Sequence, residues 1–361
     1  MGQDTSGVDS SFNPAAGGQP VWDEERAAWW LANADARERQ LQPVSDALFE
    51  RASLQPGERM LDVGVGSAPT TGQAWKAVRP DGSVTGIDIA PPMIAAARQR
   101  ITAPEIEWIV GDAASYDFPP SGYDAVISRF GVMFFPDPVA GFRNLCEATR
   151  PGGRLVVTVW SHLYATGLFG IPYTVATTTL HRLGVAYQGF PADGILFSLG
   201  RPEKIREVLN AAGWADIETA VDNRPLYLPP DPLAAAKMTM AAGPVQVLVE
   251  GQPEMVRAEV ESALTADYTH RKNESGIGLP AGFIVVAARR RSSEYPRMPS
   301  SRGAGGQVLS ESARCCLLVA AVSSLRGMSV LSHILKACSK MISPSSTRQA
   351  RWPPRSTTNT P

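Results

Sequence analysis

A chain of 361 residues has length enough for one large core or two domains, and its 44% hydrophobic and 19% charged content excludes a sequence too polar to fold around a core. The formal net charge of −1 hides an asymmetry: residues 1–290 sum to −9, whereas residues 291–361 carry ten Lys/Arg against Glu294 and Glu311 and sum to +8. An acidic body lacks the basic surface that phosphate backbones require, so no nucleic-acid partner is expected.

In chain order, residues 1–20 are rich in Gly, Ser and Pro and are expected to be disordered. Residues 22–40 read as a helix carrying Trp29 and Trp30. A second helix near 39–53 repeats Leu41, Val44, Leu48, Phe49 and Ala52 at helical spacing. Strands are expected near 59–63, 83–88, 106–110, 123–128 and 153–160, with helices near 69–78, 91–100 and 137–149 between them. This alternation marks a parallel sheet covered on both faces. A helix near 202–212, with Ile205, Val208 and Leu209 on one side, precedes strands near 216–222 and 283–288. The expected fold class is α/β: a Rossmann-like, seven-stranded, mostly parallel sheet.

The first strand ends at Asp62 and runs into Gly64-Val-Gly66, and the second ends at Asp88, 26 residues beyond Asp62. A glycine turn, a helix N-terminus and a carboxylate placed for ribose hydroxyls open a nucleotide-binding βαβ unit. Dinucleotide sites use G-x-G-x-x-G because backbone N–H groups must meet a pyrophosphate. The last glycine of that pattern would fall at position 69, where the residue is Pro69, which has no N–H to offer. The expected ligand is therefore an adenosine without phosphates. S-adenosylmethionine fits, with Asp62 attracting its ammonium and the loop N–H groups meeting its carboxylate.

Five ordered blocks carry a resemblance to the class I S-adenosylmethionine-dependent methyltransferases, in the branch related to ubiquinone and menaquinone C-methyltransferases. They are Leu61-Asp-Val-Gly-Val-Gly66, Gly86-Ile-Asp-Ile89, Trp108-Ile-Val-Gly-Asp-Ala113, Tyr123-Asp-Ala-Val-Ile-Ser-Arg-Phe130 and Arg150-Pro-Gly-Gly-Arg-Leu-Val-Val-Thr158. The resemblance covers roughly 21–289, and it implies that the last strand runs antiparallel. It further implies that Gly64 and Gly66 approach the methionine part, that Asp88 takes the ribose hydroxyls, and that Ile89 lies on the adenine face. Asp112 would accept from the adenine amino group, the Ala113 N–H would face a ring nitrogen, and Ser128 and Arg129 would border the methionine. The chain departs from the family at Ala68, where a third glycine is usual.

Two long stretches, 161–200 and 224–282, are expected to be helical inserts covering the cleft, since ligands of open α/β sheets sit beyond the carboxyl ends of the strands. Residues 21–290 are thus expected to form the methyltransferase domain. The basic, Ser-rich tail 291–361 would lie outside it and could come from a shifted or read-through frame. Substrate-side candidates are Trp29, Trp30, Phe130 and Phe134, with His162 as the catalytic candidate. No metal is expected, because C-x-x-C is absent. Cys146 alone in the body fits a reducing cytoplasm.

The expected function is transfer of a methyl group to a carbon or oxygen of a small, fairly hydrophobic molecule, with no membrane span and a homodimer as the further candidate partner. The competing readings are a nicotinamide-dependent oxidoreductase and a catalytically silent S-adenosylmethionine-binding protein.

Overall fold

Four consecutive residues of the first strand, Met60 to Val63, are all 2% exposed or less. Successive strand side chains point to opposite faces, so both faces of the sheet must be covered. The computed structural model describes residues 24–292 apart from residue 193. The expectations of disorder over 1–20 and of an extraneous tail fall, except for residues 291 and 292, outside the described residues.

The order of elements is α1 (Glu24–Ala32), α2 (Ala34–Ala52), β1 (Arg59–Val63), α3 (Pro69–Val78), β2 (Ser83–Asp88), α4 (Pro91–Arg100), β3 (Ile106–Val110), β4 (Tyr123–Arg129), α5 (Pro138–Ala148) and β5 (Thr149–Trp160). There follow α6 (Gly167–Arg182), α7 (Pro202–Ala211), β6 (Trp214–Asp222), β7 (Pro225–Leu228), α8 (Pro232–Met240), α9 (Gly243–Val249), α10 (Glu254–Arg271), β8 (Ile277–Pro280) and β9 (Phe283–Arg290). Seven strands form one sheet in the order β3-β2-β1-β4-β5-β9-β6, and β9 alone runs antiparallel to its neighbours. The Rossmann-like expectation, including the reversed last strand, is met.

Local chemistry sets the element boundaries. Proline at the first helical position opens α3, α4, α5, α7 and α8, where its missing N–H forfeits no bond. Asp137 and Asp231 cap α5 and α8 by accepting the N–H groups of Ala140 and Ala234.

Two expectations are corrected. The N-terminal helices divide at Asn33, not near residue 39: its Nδ2 donates to Trp29 O at 2.8 Å and its backbone leaves the helical region. The stretch 224–282 is not wholly helical, because β7 and β8 pair into a separate two-stranded antiparallel sheet. Among the described residues no helix is long and apolar enough to cross a membrane.

Candidate functional site

The carboxyl ends of β1 and β4 meet where neither chain has a side chain. Gly64 takes φ 74°, and a Cβ there would lie 2.9 Å from Gly131 Cα; a Cβ on Gly131 would lie 3.0 Å from Gly64 Cα and 2.6 Å from Val63 O. The two turns therefore pack backbone on backbone. Ser128 pins them together, its hydroxyl donating to Val63 O at 2.8 Å and accepting the N–H groups of Gly131 and Val132 at 3.1 and 3.2 Å. Fully buried, Ser128 supports the floor of the site and does not line the cavity above it. Gly66 is different: a Cβ there would meet nothing within 4 Å, so the space beside its Cα is open. Ala68, standing at the third glycine position, occupies the left-handed region at φ 66° with its methyl buried against Val65, Ile94 and Ala97.

Three carboxylates surround this floor. Asp88, at the end of β2, accepts the N–H of Gly66 at 2.9 Å and that of Ala90 at 3.0 Å, which fixes its plane. Burial pushes its carboxyl above the usual range, against those donors. Asp112, just past β3, accepts the Ala114 N–H at 2.9 Å. Asp62 lies behind the wall with no exposed surface. Its Oδ2 accepts both the Thr70 and Thr71 hydroxyls, at 2.8 and 2.7 Å, while its buried Oδ1 has no partner. Burial pushes the Asp62 carboxyl up to about 6, although both threonines and the nearby Arg129 charge pull it down.

Above the floor lies a cavity of about 610 Å³, within the range typical of cofactor and small-molecule sites. Sheet order divides it. Asp88, Ile89, Asp112 and Ala113 stand over β2 and β3; Arg129, Phe130, Phe134 and Trp160 stand over β4 and β5. Phe130 holds a left-handed φ of 65° and stacks on Trp160 at 3.9 Å between centroids, 13° from parallel. Trp160 in turn meets the Phe169 edge at 5.1 Å.

The remaining wall comes from α1, α2, α6, α8 and α9. Trp29 and Trp30 line it, with the Arg37 guanidinium 4.6 and 3.8 Å from their ring centroids. Arg129 reaches α2, where it grips Glu38 through two 2.7 Å bonds and Ser45 through a third. His162 does not line the cavity; its Nδ1 accepts the Tyr164 N–H at 3.1 Å and caps a short turn.

Sequence reasoning missed Arg37, Glu38, Trp160, Phe169 and Gln246, all of which line the cavity. Only Arg37 and Glu38 left a usable trace, falling with Trp30 and Leu41 along one stripe at helical spacing.

The residues fit an adenosyl amino acid. Gly66 leaves room beside its Cα, Asp88 lines the cavity with both carboxylate oxygens held by backbone N–H groups, and the exposed Ile89 offers an apolar platform, while the orphaned Asp62 oxygen lies behind the wall. A parallel sheet with this glycine turn and these carboxylates at the ends of β2 and β3 defines a nucleoside-binding Rossmann-like protein. Residues 60–153 match the model of a methyltransferase domain family.

Demethylmenaquinone methyltransferase of Beutenbergia cavernae is 36% identical over 122 residues, covering 32% of this chain and 48% of that protein. Aklanonic acid methyltransferase DauC of Streptomyces sp. (strain C5) is 34% identical over 130 residues, 35% and 58% of the two chains. Demethylmenaquinone methyltransferase of Corynebacterium efficiens is 30% identical over 175 residues, 46% of this chain and 72% of that one. The chain thus spans about half the length of the first two relatives and more of the third. It belongs to the class I S-adenosylmethionine-dependent methyltransferases, in the branch that contains these quinone methyltransferases.

Proposed function

We propose that the protein transfers the methyl group of S-adenosylmethionine to a carbon or oxygen of a small, fairly hydrophobic molecule. The observation that carries this reading is one cavity in which fixed carboxylates over β2 and β3 share a space with stacked aromatic rings over β4 and β5. When bound, S-adenosylmethionine supplies a methyl group already activated on a sulfonium, so the chain's task is to hold, align and exclude water.

In this reading the Gly64–Gly66 backbone faces the methionine part and Asp62 balances its ammonium. Asp88 accepts the ribose hydroxyls, Ile89 covers the adenine face, and Asp112 and the Ala113 N–H read the adenine edge. Arg129 holds the cover through Glu38, while Trp29, Trp30, Phe130 and Phe134 enclose the acceptor. The relatives' names support a small organic acceptor, among them a nocamycin O-methyltransferase from Saccharothrix syringae. The cytoplasm is the proposed location, on the single cysteine among the described residues.

Calorimetric titration with S-adenosylhomocysteine and with NADH, followed by mass-spectrometric detection of methylated products over an acceptor panel, tests this reading. Heat with the first ligand and a methylated product are expected. Heat with NADH alone would overturn it in favour of a nicotinamide enzyme. Cofactor binding without turnover on any acceptor would favour a silent binding protein.

A further inference from the structure

Threonines of α6 and α10 turn their hydroxyls back onto their own helices: Thr174, Thr179, Thr265 and Thr269 each donate to the carbonyl four residues earlier, at 2.7 to 2.9 Å. Thr239 of α8 makes no such bond among the described residues. Its hydroxyl meets the phenol of Tyr268, from α10, at 2.8 Å, and neither hydroxyl has another partner among the described residues. Two hydroxyls that share one hydrogen bond leave one proton over. Tyr268 is fully buried, so a phenol proton aimed away from Thr239 would sit in the core without an acceptor, which is costly. Burial also pushes the Tyr268 hydroxyl above its ordinary value, so it keeps that proton. The phenol therefore donates and the Thr239 oxygen accepts. The remaining proton belongs to Thr239, the partner that lines the cavity.

Thr239 stands on the flank away from the paired carboxylates. A Cβ built on Gly243, four residues further along, would lie 3.5 Å from Phe169 Cε1, and Phe169 meets Trp160 of β5 at 5.1 Å. Asp88 and Asp112 belong to the opposite flank, over β2 and β3. The surroundings of Thr239 are apolar: Leu168, Phe169, Pro172, Met238 and Val245 line the cavity from α6, α8 and α9, and Gln246 is buried and already engaged. A lone donor in an apolar wall fixes which way round a ligand sits.

Resting on the methyltransferase reading above, we propose that Thr239 donates a hydrogen bond to an oxygen of the methyl-accepting molecule, with Tyr268 behind it as a positioning residue. With its own oxygen already accepting from Tyr268, the Thr239 hydroxyl meets the ligand as a donor. That favours a carbonyl or ether oxygen at this point and disfavours an N–H group, which would leave two donors facing each other. Tyr268 touches no ligand. It acts by holding the threonine hydroxyl off its own helix, where it would otherwise bond the carbonyl of Ala235.

The test uses the full chain saturated with S-adenosylhomocysteine and two probes of one shape, 2-acetylnaphthalene and 2-isopropenylnaphthalene, in which a methylene group replaces the carbonyl oxygen. Calorimetry reads the affinity of each. Thr239→Val keeps the side chain's shape and removes its hydroxyl; it should weaken the ketone about tenfold, the scale of one hydrogen bond, and leave the hydrocarbon unchanged. Thr239→Ser should retain ketone binding. Tyr268→Phe should also weaken the ketone alone, and should add nothing once Thr239→Val is present. Affinity for S-adenosylhomocysteine should match the parent's in every variant. An unchanged ketone affinity in Thr239→Val, its loss in Thr239→Ser, or equal loss of both probes in any variant would overturn the proposal, as would a parent that binds no ketone. Failure of the parent to bind S-adenosylhomocysteine would instead remove the methyltransferase reading beneath it, leaving the Thr239 contact to be read from the probes alone.

Discussion

Gly64 and Ala68 show how differently two positions of one glycine turn respond to a methyl group. At Gly64 an added Cβ meets the Gly131 backbone at 2.9 Å in a left-handed conformation, combining a strain of about 1 kcal/mol with overpacking of about 1–3 kcal/mol. Gly64→Ala should therefore lower unfolding stability by more than about 2 kcal/mol in urea titrations. At Ala68 the strain is already present, and the methyl is buried. Ala68→Gly would relieve about 1 kcal/mol of strain but lose about 0.8 kcal/mol of apolar burial and gain unfolded-state entropy. The opposing effects nearly cancel, so this variant should stay within about 1 kcal/mol of the parent. A large loss would mean that the methyl's packing outweighs the strain.

Asp62 gives a pH dependence with a definite sign. Its folded-state value of about 6 lies above the unfolded value of about 3.9, so in the empty protein this group favours folding at low pH. That contribution, about 3 kcal/mol, is lost as pH rises between those two values. A ligand ammonium on the cavity side of the wall, attracted directly or through water, reverses the preference, because only the carboxylate attracts it. Affinity for S-adenosylhomocysteine should accordingly fall about tenfold between pH 7 and pH 5, and Asp62→Asn should abolish that slope. A slope that survives in the variant would place the titrating group elsewhere.

At the scale of elements, the first turns of α2 are tied to the sheet through the Glu38–Arg129 ion pair. Val44, Ala47, Leu48 and Ala52 bury the C-terminal half of α2, whereas its first turns are held by Glu38 to Arg129 and, at the more exposed Asp35, to Arg100 of α4. Glu38→Gln should destabilise this contact by about 1–3 kcal/mol, because a guanidinium is left with poorer partners. Hydrogen exchange should quicken over residues 24–40 and stay slow over 44–52, with weaker cofactor binding. Uniform quickening across the chain would show a global effect instead.

The central strands were legible in the sequence because short, largely apolar runs border glycine turns: Leu155–Val159 follows Gly152 and Gly153, and Met60–Val63 runs into Gly64. The β7–β8 pair was not. Each has four residues, Pro225 opens one and Pro280 closes the other, and their pairing joins positions some fifty residues apart. Ser128 was placed in the right neighbourhood but on the wrong side of the strand end, since one residue's step inverts a side chain's direction. The partners of Arg129 depend on where α2 packs, which no local spacing encodes.

For the whole molecule, the last sheet strand ends at Arg290, just before the composition turns basic and Ser-rich. We propose that residues 291–361 are dispensable to the fold. A chain ending at Arg291 should bind S-adenosylhomocysteine with unchanged affinity and unfold in one transition, and a marked loss of affinity would assign the tail a part in the site.

Truncation just upstream would have another outcome, because β9 lies between β5 and β6 and among the described strands is the only partner of β6. During synthesis β6 is complete some sixty residues before β9 exists, so one edge of the nascent sheet waits unpaired while α8, α9 and α10 are made. Such late, sequence-distant closure slows folding and exposes aggregation-prone edges. The sheet of this domain can therefore be finished only after β9 has been made.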